Sequence, residues 1–147
     1  MVARIIILLF VLTTSLSFKN QSPVNKGNLK VIVNKMSSDK GQIGFCLFNS
    51  SEGFPHPEKA IQCVFVKTNI NSTEYTFTNI EMGTYAVSVF HDENNNKKLD
   101  TNWIGLPSEG VGVSNNGKDD WGPPKYKNAK FVFNKPEQTI TISLSYL

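Results

Sequence analysis

From Leu29 onward the chain alternates apolar and polar side chains with a period of two, and no competing helical period interrupts it. Leu29, Val31 and Val33 form one stripe, Ile43, Phe45 and Leu47 the next. Ala60 to Lys67 places Ile61, Cys63 and Phe65 on one face and Val64 and Val66 on the other. Tyr75 and Phe77 come next, then Tyr85, Val87 and Val89, then Phe131 and Phe133, and finally Ile140, Ile142, Leu144 and Tyr146. A residue set that repeats every second position lines one face of a strand, so each segment reads as a half-buried strand. About seven such strands, separated by turn signals, predict an all-β fold, an antiparallel β-sandwich. A chain of 147 residues can bury its own core, and we expect a single domain over residues 29–147.

The N-terminus obeys different rules. Met1 to Arg4 carries one positive charge, Ile5 to Leu12 is an apolar run, and Thr13 to Ser17 supplies small residues. This order predicts a signal peptide over 1–17, with 18–28 a flexible lead-in. The apolar run is shorter than the ~20 residues that span a bilayer, so no transmembrane helix is expected in the mature chain. Export to the periplasm or the extracellular space is the expectation. The formal charge is +3; without Arg4 the balance is 14 lysines against 12 acidic residues, or +2. Scattered lysines and no arginine forks argue against a nucleic-acid partner. In an oxidising compartment Cys46 and Cys63 can pair. Sequence leaves that pairing and two separate buried thiols both open.

One stretch breaks the alternation. Residues 91–128 show no strand pattern, yet they hold both tryptophans and six of the twelve acidic residues. Structureless loops longer than ~15 residues are uncommon and tend to be functional. This one carries Trp103, Ile104, Leu106, Val111, Val113, Trp121 and Tyr126, so we expect it to pack on itself and on one end of the sandwich, between the fifth and sixth strands. Within it, Asp92, Asn94, Asn96 and Asp100 fall at relative positions 1, 3, 5 and 9, with the Lys98 carbonyl at 7. Alternate oxygens in a tight loop suit a hard cation such as Ca²⁺, and Leu99 would anchor the loop to the core. Position 6, where a calcium loop turns on glycine, is Lys97, which costs about 1 kcal/mol if φ is positive. Position 12 is Trp103 rather than a carboxylate, so any further ligand must come from Glu93, Glu109, Asp119 or Asp120. An Asx-rich turn held by side-chain bonds to the backbone is the competing reading.

Three classes of function remain. A hydrolase would use His91 as base, with Asp92, Glu93 or Asp100 beside it and Ser114 as nucleophile, but Ser114-Asn115 has no nucleophile-elbow pattern. His91 also continues the stripe of Tyr85, Val87 and Val89, which favours a structural histidine. A binding module would present Trp103 and Trp121 beside Glu109, Ser114 and Asn115 to a glycan or protein partner. An envelope scaffold without metal would use the sheet edge alone. The binding or structural module stands ahead of the enzyme.

The runs Gly83-Thr-Tyr-Ala-Val-Ser-Val-Phe-His-Asp-Glu-Asn, Lys98-Leu-Asp-Thr-Asn, Gly105-Leu-Pro-Ser-Glu-Gly, Gly112-Val-Ser-Asn-Asn and Gly122-Pro-Pro together resemble the bacterial family called domain of unknown function 2141. The resemblance covers about Leu29 to Tyr146. It implies a small exported protein with a transthyretin-like or immunoglobulin-like β-sandwich, and it implies no reaction. The family pattern carries glycines where this chain has Asn95 and Lys97.

Overall fold

The computed structural model describes residues 25–117 and 122–147. The expected signal peptide, most of the expected lead-in, Asp119, Asp120 and Trp121 lie outside the described residues. Among the described residues eight strands form, in chain order β1 (Lys26–Asn34), β2 (Gln42–Phe48), β3 (Gln62–Lys67), β4 (Thr73–Glu81), β5 (Gly83–Asp92), β6 (Val111–Val113), β7 (Phe131–Phe133) and β8 (Glu137–Ser143). The first strand begins at Lys26, inside the segment expected as lead-in. One sheet runs β4-β1-β8 and the other β3-β2-β5-β6, with β7 also paired to β5. All pairs are antiparallel except β1 with β8, which run parallel from Asn28↔Glu137 to Asn34↔Ser143.

The alternating stripes meet between the two sheets. Leu29, Val31 and Val33 of β1 face Ile43, Phe45 and Leu47 of β2, with Phe77, Tyr85, Val87, Val89, Phe133 and Ile142 completing the inner core. Burying such side chains supplies the main driving force for this architecture, at about 1.5–3 kcal/mol each. The second sheet is buried on its other face as well: β2 from Ile43 to Phe48 and β5 from Tyr85 to Asp92 have no exposed residue. There Cys46, Phe48 and Phe90 pack with Phe54, Phe65, Val111, Leu99 and Tyr126. Cys46 lies directly opposite Cys63 in the β2–β3 register, and the two form a disulfide.

The strand count exceeds the expected seven because β6 lies within the stretch that shows no strand pattern. Both β6 and β7 sit along the same side of β5. Ser88–Phe90 pairs with β6, and Gly83–Tyr85 pairs with β7. One edge position is therefore filled by two short pieces, with Ser114 following the first and Lys130 preceding the second. Ser114 closes the gap. Its buried Oγ accepts the Val87 N–H at 2.9 Å and donates to the Ala129 carbonyl at 2.7 Å, replacing the ladder bonds the broken strand cannot make. At the other end, Val111 and Ser145 exchange two backbone hydrogen bonds of 2.9 Å, tying this sheet to the chain beyond β8.

Candidate functional site

Strand β5 ends in two buried polar residues on opposite faces. His91 continues the inner stripe and Asp92 the outer one, and both are fully buried. His91 Nδ1 lies 2.8 Å from the Tyr146 hydroxyl and Nε2 lies 2.8 Å from the Lys40 carbonyl. With the Nε2 proton donated to that carbonyl, Nδ1 accepts from the tyrosine, so both ring nitrogens are committed to structure. Its partners lie in the β1–β2 turn and the C-terminal segment, not in the loop. Ser114, the candidate nucleophile, is committed instead to the β5 edge.

Asp92 organises the turn on its C-terminal side. Its Oδ1 accepts the Asn96 N–H at 2.9 Å; its Oδ2 accepts the Lys97 N–H at 2.8 Å and the Gln42 Nε2–H at 2.6 Å. Gln42 reaches it because the β2–β5 register pairs the two residues. Charged acceptors make stronger hydrogen bonds than neutral ones, and these three fold residues 92–97 back toward the end of the sheet. Asn95 and Lys97 both adopt φ of 61°, the left-handed region. The asparagine tolerates it, whereas the lysine is strained by roughly 1 kcal/mol.

The next layer is built of side-chain amides. Asn94 Oδ1 accepts the Asn96 N–H at 3.0 Å, and Asn96 Oδ1 accepts the Lys98 N–H at 2.8 Å. The Nδ2 groups of Asn94 and Asn96 both donate to the half-buried Asp100 carboxylate, at 2.7 Å and at 3.0 and 3.1 Å. Four of the five residues selected by spacing thus converge through their side chains, and Lys98 joins through its backbone. Leu99 packs on the outer-face cluster, as expected for an anchor. Among the described residues no group of three or more His, Cys, Asp or Glu side chains is placed to hold a metal ion. A cation here would therefore depend on amide and carbonyl oxygens beside two carboxylates.

Glu109 ties both ends of this turn together from the far side of the hairpin. The buried carboxylate accepts the Glu93 N–H at 3.1 Å through Oε1 and the Asp100 N–H at 3.0 Å through Oε2. Burial raises its pKa; the backbone N–H groups of Asp100 and Glu93 pull it down, and the charges on Asp100 and Asp92 push it up again. Glu93 itself points elsewhere, its Oε1 accepting the Ser37 hydroxyl at 2.8 Å and the Ser38 hydroxyl at 3.2 Å, with His91 Nδ1 3.5 Å away. Asn115, at φ 60°, donates through Nδ2 to the Lys130 carbonyl at 2.9 Å and to that of Ala129 at 3.3 Å. It ties the end of β6 to the residues that precede β7 and lies apart from the Asx turn.

Beyond Asp100 the chain forms a small hairpin. Thr101 bridges Pro107, the Asn102 N–H donates to the Leu106 carbonyl at 2.8 Å, and Ser108 N–H donates to the Asp100 carbonyl at 2.9 Å. Asn102 Oδ1 accepts the N–H groups of Ile104 at 3.1 Å and Leu106 at 3.0 Å. The tip is thus built by asparagine turn chemistry, and its apolar side chains point outward. Trp103 is 95% exposed, Ile104 56% and Leu106 46%. This corrects the expectation that the whole stretch packs on itself: Leu99, Val111, Val113 and Tyr126 do, while the hairpin tip does not. Sequence reasoning also missed Gln42, Lys40 and Tyr146, because only strand register and chain closure bring them to Asp92 and His91.

The model of a family described as an uncharacterized protein conserved in bacteria (DUF2141) matches residues 31–141. The chain belongs to this family. The match runs from β1 into β8, so DUF2141 membership takes in both sheets, the Asx turn and the hairpin. No curated protein and no solved structure matches the chain. Membership in DUF2141 therefore brings no reaction with it.

Proposed function

We propose that this DUF2141 protein is an exported, non-catalytic binding module whose crown, residues 92–109, is a preformed recognition surface that takes Ca²⁺ as a structural clip. Asp92, Asn94, Asn96, the Lys98 carbonyl and Asp100 would hold the ion. The observation that carries the reading is the convergence of Asn94 and Asn96 on Asp100, above a turn that Asp92 already holds. Each amide oxygen here serves one backbone N–H and keeps a second lone pair. Oxygen ligands of this kind suit Ca²⁺, and two carboxylates place its affinity in the ~0.1–1 mM range of extracellular modules. The same bonds support a second reading, a recognition surface with no metal, because the turn satisfies its own amides.

Thermal unfolding of the purified protein in EDTA and then in millimolar Ca²⁺ separates the two. At 10 mM Ca²⁺, about 10–100 times that dissociation constant, one-site binding adds about 1.4–2.7 kcal/mol, a few degrees or more for a domain of this size. We expect such a rise with Ca²⁺, none with Mg²⁺, and its loss in Asp100→Ala. An unchanged midpoint contradicts the clip and leaves the metal-free surface.

A further inference from the structure

We propose that the hairpin tip carrying Trp103 docks into the cleft lined by Phe54 and Tyr126 of a second copy of this chain. The proposal rests on the crown's being a recognition surface and names its partner; it does not depend on the cation. The tip is built to face outward. Asn102 holds it by side-chain and backbone bonds, and Trp103, Ile104 and Leu106 are all exposed. Large apolar side chains clustered on an ordered support form the kind of patch that marks an interaction site. Tryptophan is among the residues enriched at the energetic centre of such contacts. The same chain carries a recess to match. A cleft of about 390 Å³ is lined by Phe54, Pro123, Pro124 and Tyr126 among others, with Lys125 and Lys127. Its aromatic wall is fixed: the Phe54 and Tyr126 rings meet edge to face, 5.8 Å apart at 80°, and the Tyr126 hydroxyl donates to the Thr84 carbonyl at 3.3 Å. Recesses of about 300 Å³ and more hold small ligands, so one indole fits, and the aromatic and proline rings offer it apolar faces.

Charge decides the occupant. Residues 92–109, which carry the tip, hold four carboxylates, Asp92, Glu93, Asp100 and Glu109, against Lys97 and Lys98. Two of the four stand at the foot of the hairpin: the Asp100 carbonyl accepts the Ser108 N–H across it, and Glu109 accepts the Asp100 N–H. Asp100 is only three residues below Trp103, about 10 Å along an extended chain. Residues 118–130, which carry most of the cleft, have the opposite balance, with Lys118, Lys125, Lys127 and Lys130 against Asp119 and Asp120. Among the described residues, the charged ones that line the cleft are Lys125 and Lys127. An acidic tip and a basic cleft attract each other and fix the orientation in which they meet. Both halves of the contact therefore lie on one chain, matched in size, polarity and charge. They are different patches, so the contact runs head to tail.

The test is run on the purified protein in EDTA, by sedimentation over a range of concentrations. The mass should rise above that of the monomer as concentration increases, and higher ionic strength should weaken the association. Trp103→Ser should weaken it at least about tenfold, with the far-ultraviolet dichroism unchanged. Lys125→Glu with Lys127→Glu, which alters the cleft by charge alone, should weaken it in the same direction. At concentrations where each variant by itself is monomeric, an equal mixture of the two should form a heterodimer, because the intact cleft of the first receives the intact tip of the second. A wild type that stays monomeric at every concentration overturns the second copy as partner and leaves the recognition surface standing. Association equal in wild type and Trp103→Ser overturns the proposal and moves the recognition surface off the tip as well. A mixture that stays monomeric overturns the pairing of tip with cleft.

Discussion

The sandwich and the crown are held by different physics. Between the sheets, apolar side chains from β1, β2, β4, β5, β7 and β8 exclude water, and their identity matters mainly through volume. In the crown, two buried carboxylates do the organising: Asp92 gathers residues 96, 97 and 42, and Glu109 gathers residues 93 and 100. The first region tolerates apolar exchange that conserves volume. The second depends on charge and geometry, because a buried backbone N–H that loses its acceptor costs about 1–3 kcal/mol. An ordered loop of this length needs such anchors, since its own apolar residues are partly spent on the exposed tip.

Substitutions on the two sides should separate in size and in kind. Phe77→Ala, in the inner core, should cost the most, about 3–5 kcal/mol in chemical denaturation, with no pH dependence of its own. Asp92→Ala should come next at about 2–3 kcal/mol, because three donors lose a charged acceptor. A loss below the surface-substitution range of about 0.5 kcal/mol would mean that the carboxylate does not hold the crown.

Glu109→Gln should cost roughly 1–2 kcal/mol at acid pH, since the amide NH₂ meets one of the two N–H groups as a second donor, whereas either oxygen of the carboxyl can accept. It should also change the pH profile. The carboxyl pKa is raised above its ordinary 4.5, so its contribution to stability is full below that value and is lost as pH rises through the folded pKa. The margin of wild type over Glu109→Gln should therefore be widest at the acid end and narrow toward neutrality. A margin that widens with pH would reverse the assignment.

Lys97→Gly should stabilise by about 0.5–1 kcal/mol, because glycine accepts a φ of 61° without strain. Trp103→Ser should leave stability within about 0.5 kcal/mol, as the side chain contributes no burial.

The inner core is legible in the sequence because alternation reports directly which side chains share a face. Leu29, Val31, Val33, Ile43, Phe45, Leu47, Val87 and Val89 all occupy the side that the pattern assigns. The β6 strand is not, because Val111-Gly112-Val113 is too short to show a period. Neither is the parallel β1–β8 pairing, since periodicity carries no information on which strands become neighbours. The Asx turn is legible from spacing, and its Leu99 anchor from its position; Gln42 is not, because it meets Asp92 only through register. Trp103 departs from the expected packing. Its composition suggests burial, whereas Asn102 and Gly105, at φ 81°, signal a tight turn that sends its apolar side chains outward.

Amide hydrogen exchange resolved by residue tests the central claim, that carboxylate and asparagine oxygens hold the crown in one conformation. The amides of Asn96 and Lys97 on Asp92, Glu93 and Asp100 on Glu109, and Ile104 and Leu106 on Asn102 should exchange at least about tenfold more slowly than in an unstructured chain, despite lying in loops. Protection of the first two pairs should fall in Asp92→Ala and Glu109→Gln respectively, while β2 and β5 stay protected. Exchange of all six at unstructured rates beside a protected sandwich would contradict the account, leaving a folded body with a crown that no buried carboxylate organises.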